Sequence, residues 1–239
     1  MKNTRVFLMA AILGIASCAL TSCMDCINGK GEVKSHTVPL ESFTGIRLDG
    51  DADVFLVSDS SKVITVEAQD NIASNIEMKV RSGILRIGYR DCVSMHEPVK
   101  IYIPVKIIED LSINGSGNIE TRGKISAGTL NLKINGSGNL KINLTAETIF
   151  SEVNGSGSIF LGGSAKRHKT QINGSGNLEA EDLPTEKTEI TVNGSGSCKV
   201  FAISKLEVII RGSGDVGYKG APDVSTTIKG SGSVSKIGN

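Results

Sequence analysis

This chain has no tryptophan, and aromatic residues make up only 4% of it. A core of stacked rings is excluded, so the interior has to be built from Ile, Leu and Val. That suits a thin interior between closely stacked strands better than a globular enzyme core with a deep pocket. Proline is scarce, with 5 residues. Neither sign of charge dominates: 26 Lys and Arg oppose 25 Asp and Glu, for a formal net charge of +1. A nucleic-acid partner is therefore not expected, nor is a basic membrane-surface helix. The apolar run Val6 to Leu20 is too short to span a bilayer comfortably. The five cysteines make no disulfide framework: Cys18 and Cys23 lie near the start, Cys26 and Cys92 are isolated, and Cys198 reads as a small buried hydrophobe. A Cys26–Cys92 bridge stays open, with nothing in the spacing to argue for it.

Glycine, at 28 residues, is what the chain has in excess. Asn114-Gly115-Ser116-Gly117 returns as Gly-Ser-Gly at Gly136, Gly155, Gly174, Gly194, Gly212 and Gly230, in steps of 21, 19, 19, 20, 18 and 18 residues. A period of about 20 residues marks an array in which each copy is one structural unit. Two positions before the first glycine stand Ile113, Ile134, Val153, Ile172, Val192, Ile210 and Ile228. Four positions after it stand Ile119, Leu140, Ile159, Leu178, Cys198, Val216 and Val234. All are apolar, and their even separation points them to one side of an extended ribbon. The odd positions between them are polar.

Two folds could use such a ribbon. Each copy could be a hairpin with Asn-Gly-Ser-Gly as its loop, because Asn-Gly is a strong hairpin signal. Alternatively, each copy is one coil of a parallel β-solenoid, with equivalent residues stacked about 4.8 Å apart. Exposed hairpin tips have no reason to keep the same serine seven times. Stacked coils do, since each residue touches its own kind above and below. The expectation is an all-β solenoid with about seven Gly-Ser-Gly coils.

Lys2 and Arg5, the apolar run and the small residues after it read as an export signal. It ends in Leu20-Thr21-Ser22-Cys23, which resembles the lipobox of bacterial lipoproteins; Ile15-Ala16-Ser17-Cys18 fits the same pattern with a shorter apolar region. The expected layout is a signal peptide over 1–22, a lipidated N-terminus and flexible linker over 23–36, and a single β-solenoid domain over 37–239. Acyl chains on Cys23 would make the membrane one partner, each buried methylene adding about 0.8 kcal/mol. Period-two stretches such as Val54-Phe55-Leu56-Val57 and Ile76-Glu77-Met78-Lys79-Val80 predict strands, with one helical turn over Asp70 to Asn75. Residues 37–110 read as irregular first coils that cover the open end of the stack, and 111–239 as the repeats. No cap follows the last copy, so a homo-oligomer formed through solenoid ends is an alternative structural role.

Several motifs in this order resemble one family. They are Phe43-Thr44-Gly45-Ile46-Arg47-Leu48-Asp49-Gly50-Asp51-Ala52-Asp53-Val54, Val63-Ile64-Thr65-Val66-Glu67-Ala68 with Asp70-Asn71-Ile72, Gly83-Ile84-Leu85-Arg86-Ile87, Ile101-Tyr102-Ile103-Pro104, and the Gly-Ser-Gly copies. Together they resemble the auto-transporter adhesin head, or GIN-domain, family, many of whose members are lipoproteins of Bacteroidetes-like bacteria. The resemblance implies a right-handed parallel β-helix and an adhesin role in an outer-membrane lipoprotein, periplasmic or surface-exposed. It brings no catalytic residues. The loop Gly88 to Pro98 has no place on the family pattern.

Parallel β-helices also host polysaccharide lyases and hydrolases, which need converging carboxylates or a bound metal. Five positions after the first glycine, pointing outward, stand Glu120, Lys141, Phe160, Glu179, Lys199, Gly217 and Ser235, with no two acids adjacent. Glu179, Glu181 and Asp182 read as a solvated loop, and His36, His96 and His168 as surface residues without ligand spacing. Calcium, held in some Gly-rich β-rolls by an Asp after the glycines, would find only Asp215 in that place. No catalysis, cofactor or metal is expected. What remains is the polar face. Ser116, Ser137, Ser156, Ser175, Ser195, Ser213 and Ser231 form one column, and Asn114, Asn135, Asn154, Asn173 and Asn193 run beside it about 7 Å away. Either these groups bond one another up the stack, or they form a regular array that binds a glycan or another cell-surface ligand. Both readings stay open.

Overall fold

The computed structural model describes residues 26–39, 41–58 and 61–238. The export signal, Cys18 and Cys23 lie outside the described residues. The elements in chain order are β1 (Val33–Pro39), β2 (Gly45–Gly50), β3 (Asp53–Val57), β4 (Val63–Gln69), the helical turn α1 (Asp70–Ala73), β5 (Ile76–Arg81), β6 (Ile84–Tyr89), β7 (Lys100–Pro104), β8 (Asp110–Gly115), β9 (Asn118–Arg122), β10 (Ile125–Gly136), β11 (Asn139–Gly155), β12 (Ser158–Gly174), β13 (Asn177–Gly194), β14 (Ser197–Gly212), β15 (Asp215–Lys219), β16 (Asp223–Gly230) and β17 (Ser233–Gly238).

The register decides between hairpins and coils. Gly136 stands beside Gly115, Gly155 beside Gly136, Gly174 beside Gly155, Gly194 beside Gly174, Gly212 beside Gly194 and Gly230 beside Gly212, all in parallel pairing. The chain is thus a β-solenoid of about seven turns, and each Gly-Ser-Gly is a corner where one face turns into the other. A second, gentler bend lies within the long strands. In β11 it is marked by two successive inward residues, Thr148 and Ile149. The two apolar columns flanking the corner form the core: from Ile113 to Ile210 and from Ile119 to Val216, none is more than 1% exposed. Each such side chain contributes roughly 1.5–3 kcal/mol of burial.

The corner also explains why both glycines recur. Gly155 has φ +132°, and a β-carbon there would sit 2.4 Å from the carbonyl oxygen of Gly136. A β-carbon on Gly157 would sit 2.4 Å from the carbonyl oxygen of Gly138. Coils approach so closely here that one carbonyl takes two donors: the N–H groups of Ser156 and Gly157 both donate to Gly136 O, at 3.0 and 3.1 Å.

On the N-terminal side lie two further layers, and their order is not chain order. The β2–β3 layer pairs in parallel with β8–β9 on one side and with β6–β7 on the other. Asp49 stands beside Asn114 and Gly50 beside Gly115, so Asp49-Gly50-Asp51-Ala52-Asp53 is another, degenerate corner. In the β6–β7 layer the corner is replaced by the loop 90–99; within the stretch Gly88–Pro98, Gly88 and Tyr89 belong to β6 and pair with β5. Beyond it the cap is antiparallel: β5 on β6, β4 on β7, and β1 on β4.

One expectation is corrected and one open question is answered. The stretch 24–36, read as a flexible spacer, is tied down within its described part: Ile27 bridges Val93, and β1 begins at Val33. The physical reason is that β4 would otherwise be a bare sheet edge. Cys26 and Cys92, isolated in sequence, are bonded to each other with Cα atoms 4.7 Å apart.

Candidate binding surface

The corner columns were singled out by the repeat, and the structure shows what their side chains do. Asn135 Nδ2 donates to Asn114 Oδ1 at 2.7 Å, Asn154 to Asn135 at 2.9 Å, Asn173 to Asn154 at 2.7 Å and Asn193 to Asn173 at 2.8 Å. Each amide therefore donates to the layer before it and accepts from the layer after. The ladder ends in residues that suit its direction: Asn114 donates to the Asp49 carboxylate, which can only accept, and Arg211, which can only donate, bonds Asn193. Sequence reading had neither end, because Asp49 sits in the degenerate corner and Arg211 breaks the Asn column. A second, shorter ladder runs Asn139 to Asn118 to Asp53, at 2.8 and 2.7 Å.

The ladder uses one donor and one acceptor of each central amide, and the Asn side chains stay half-exposed. Asn154 uses its second N–H as well, donating to Glu152 Oε1 at 2.7 Å; with Lys133 alongside, this holds the Glu152 carboxyl below its usual range. The serines differ. Ser116, Ser137, Ser156, Ser175, Ser195, Ser213 and Ser231 are all exposed at the apex, and among the described residues their hydroxyls have no protein partner. The outcome is an exposed hydroxyl column on a backbone fixed by its own amide ladder.

The outward column behaves as the alternation predicts, and its charges cancel locally. Lys141 pairs with Glu120 at 3.3 Å and Lys199 with Glu179 at 3.2 Å. Phe160 stands between these pairs, 41% exposed. It borders a groove of about 730 Å³ lined by Asn143, Gly162, Gly163 and Asp182 among others. The opposite face carries a smaller groove of about 560 Å³ around Phe150. Neither was legible as a groove from sequence. Among the described residues no three metal-ligating side chains converge.

The histidines need one correction. His36 lies 3.4 Å from Asp70, and His96 lies 3.3 Å from Asp51. His168, expected at the surface, is 2% exposed. It occupies a core column between Ile149 and Thr188, where its Nε2 meets Ser151 Oγ at 2.8 Å. Burial pushes its imidazole down to about 4. Cys198 is buried as expected, its thiol pushed up to about 12 by burial first and by Glu179 second.

Similar solved structures share the fold. One is described as a putative adhesin from Bacteroides fragilis, with a TM-score of 0.82 at 23% identity, covering 88% of this chain and 100% of that one. Another, described as a putative lipid binding protein from Parabacteroides distasonis, has a TM-score of 0.75 at 25% identity over 88% of this chain and 99% of that one. A third, a putative adhesin from Parabacteroides merdae, has a TM-score of 0.72 at 21% identity over 89% and 99%. A comparison with curated proteins finds no match. The family described as putative auto-transporter adhesin, head GIN domain, matches residues 42–222, and the chain belongs to that family.

Proposed function

We propose that this protein is a non-catalytic adhesion or binding module of the cell envelope, exported and anchored to the outer membrane through a lipid on Cys23. Its corner edge would meet a glycan or another cell-surface ligand. One observation carries the reading: seven exposed hydroxyls, without protein partners among the described residues, stand in register, and five of them stand beside an amide ladder that orders this edge. A surface ordered before it binds loses little entropy on binding. The family and the neighbours described as adhesins support the same reading. Replacing Ser156, Ser175 and Ser195 together by Ala should weaken attachment of the protein to glycan arrays or cells by about tenfold with melting unchanged. Undiminished attachment would overturn the role of the edge. Cys23→Ala should release the protein from the membrane fraction, and protease shaving of intact cells reads whether it faces outward.

A second reading is self-association through β16. Among the described residues its outer edge has no partner strand, and Ile228 is 41% exposed. Paired antiparallel with a second copy about Thr226, β16 is self-complementary. Asp223 meets the partner's Lys229, and Val224 meets the partner's Ile228. Lys236, in the neighbouring strand β17, occupies an inward column, and such a charge discourages pairing there. Thr226→Cys should crosslink to itself on oxidation, and Asp223→Lys should block this until Lys229→Asp is added. No crosslink at any concentration excludes the pairing.

A further inference from the structure

Both faces of the solenoid present one exposed phenylalanine in a groove, and the two grooves differ in one respect. Around Phe150 most of the polar rim is already bonded, Arg86 excepted. Asn131 donates to Asp110, Lys133 pairs with Glu152, Lys169 with Glu189, and Gln171 donates to Asn173. Around Phe160 the rim is open. Lys141 and Glu179 flank it in its own column, yet each pairs away from it, with Glu120 and Lys199. In the adjacent column the order is Asn143, Gly162, Asp182. Among the described residues the side chains of Asn143 and Asp182 have no partner.

Gly162 is the gap between them. Its backbone is ordinary, and a β-carbon there would meet nothing nearer than the Asp182 carbonyl oxygen at 4.0 Å. Nothing in the fold requires glycine at this place, unlike the corner glycines. The consequence of having it is an empty slot two layers wide, about 10 Å between the strands of Asn143 and Asp182. The register shift between Phe160 and Gly162 in the pairing with β13 lies at the same spot, and such irregularities are frequent beside functional sites.

We propose that this slot on the Phe160 face is a subsite for one ring of a neutral pyranose glycan, which deepens the reading of the protein as a glycan-binding envelope module and rests on it. The apolar C–H face of the sugar packs on the Phe160 ring, an amphipathic fit of the kind aromatic side chains provide. The Asn143 amide and the Asp182 carboxylate take the hydroxyls at either rim. Glu179 and Glu181 are neutralised by Lys199 and Lys219, so it is the Asp182 carboxylate, without a partner among the described residues, that disfavours an acidic sugar by repulsion.

The test is calorimetric titration and saturation-transfer NMR of the purified protein with neutral tetrasaccharides (cello-, manno- and xylotetraose) and with tetragalacturonate. At least one neutral probe should bind, with signal from sugar C–H protons. Phe160→Ala should weaken it by about tenfold. Gly162→Gln, which fills the slot without backbone strain, should abolish it with no loss of melting temperature, while Phe150→Ala on the opposite face leaves binding unchanged. Three results overturn the subsite: no neutral probe binds, only the acidic probe binds, or binding survives Gly162→Gln. If binding survives Gly162→Gln but falls with the triple serine variant, the subsite fails while the edge reading stands. If Gly162→Gln abolishes binding and the serine variant does not, the edge reading fails instead.

Discussion

Thr170 is buried, and among the described residues its hydroxyl has no partner; it lies in an inward column with Leu132, Ser151, Ile190 and Val208. Valine has the same shape without the desolvated hydroxyl. Thr170→Val should therefore stabilise the protein by about 1–2 kcal/mol, read as a higher urea midpoint at constant slope. Next to it, His168 makes stability depend on pH. Its folded pKa of about 4 lies below the ordinary 6.5, so between those values the unfolded chain takes up a proton that the folded chain refuses. Stability should be complete above about pH 6.5 and decline as pH falls toward 4. The double variant Ser151→Ala, His168→Leu should lessen that slope, as shown by denaturation midpoints across the same pH range. A wild-type midpoint that stays flat over the range would contradict the assignment.

At the scale of one coil, two glycines in the same strand give opposite expectations. Gly155→Ala places a β-carbon against the backbone of the coil before it, at a φ that alanine resists, and should cost about 3 kcal/mol or more. Gly162→Ala has ordinary φ and open space, and should raise stability by about 0.5 kcal/mol through the unfolded chain alone. Thermal melts of the two variants check both. The same contact explains how much of the coil could be read in advance. Where a corner lies on another corner, close approach demands glycine twice, and the repeat announces itself. Where β2–β3 lies on the Gly88–Pro98 loop, the second glycine is released and Ala52 takes its place, so the corner vanishes from a Gly-Ser-Gly count. Leu48 two positions before Gly50 and Val54 four positions after it still kept the spacing. The Phe160 slot was illegible because a groove depends on what two neighbouring coils lack, and no single stretch of sequence records that.

Across the whole molecule, stability is unevenly anchored. The Cys26–Cys92 bond closes a span of 66 residues and ties β1 and the Gly88–Pro98 loop to the N-terminal cap. Its reduction should cost about 4 kcal/mol in the chain-entropy picture. Amide exchange should rise first in β1 and β4 while β11 to β14 stay protected. The bond could not be deduced from spacing, because the two cysteines meet only once the antiparallel cap has formed. That cap, with β2–β3 held between two layers that both come later in the chain, has a consequence for how the protein is made. The first three layers cannot close until Arg122, the end of β9, is available, which sets a single slow, long-range step. Every later coil finds a finished surface to settle on. A polypeptide threaded N-terminus first across a membrane would wait once for its seed and then lengthen like a growing crystal, and shortening the far end would leave that seed untouched.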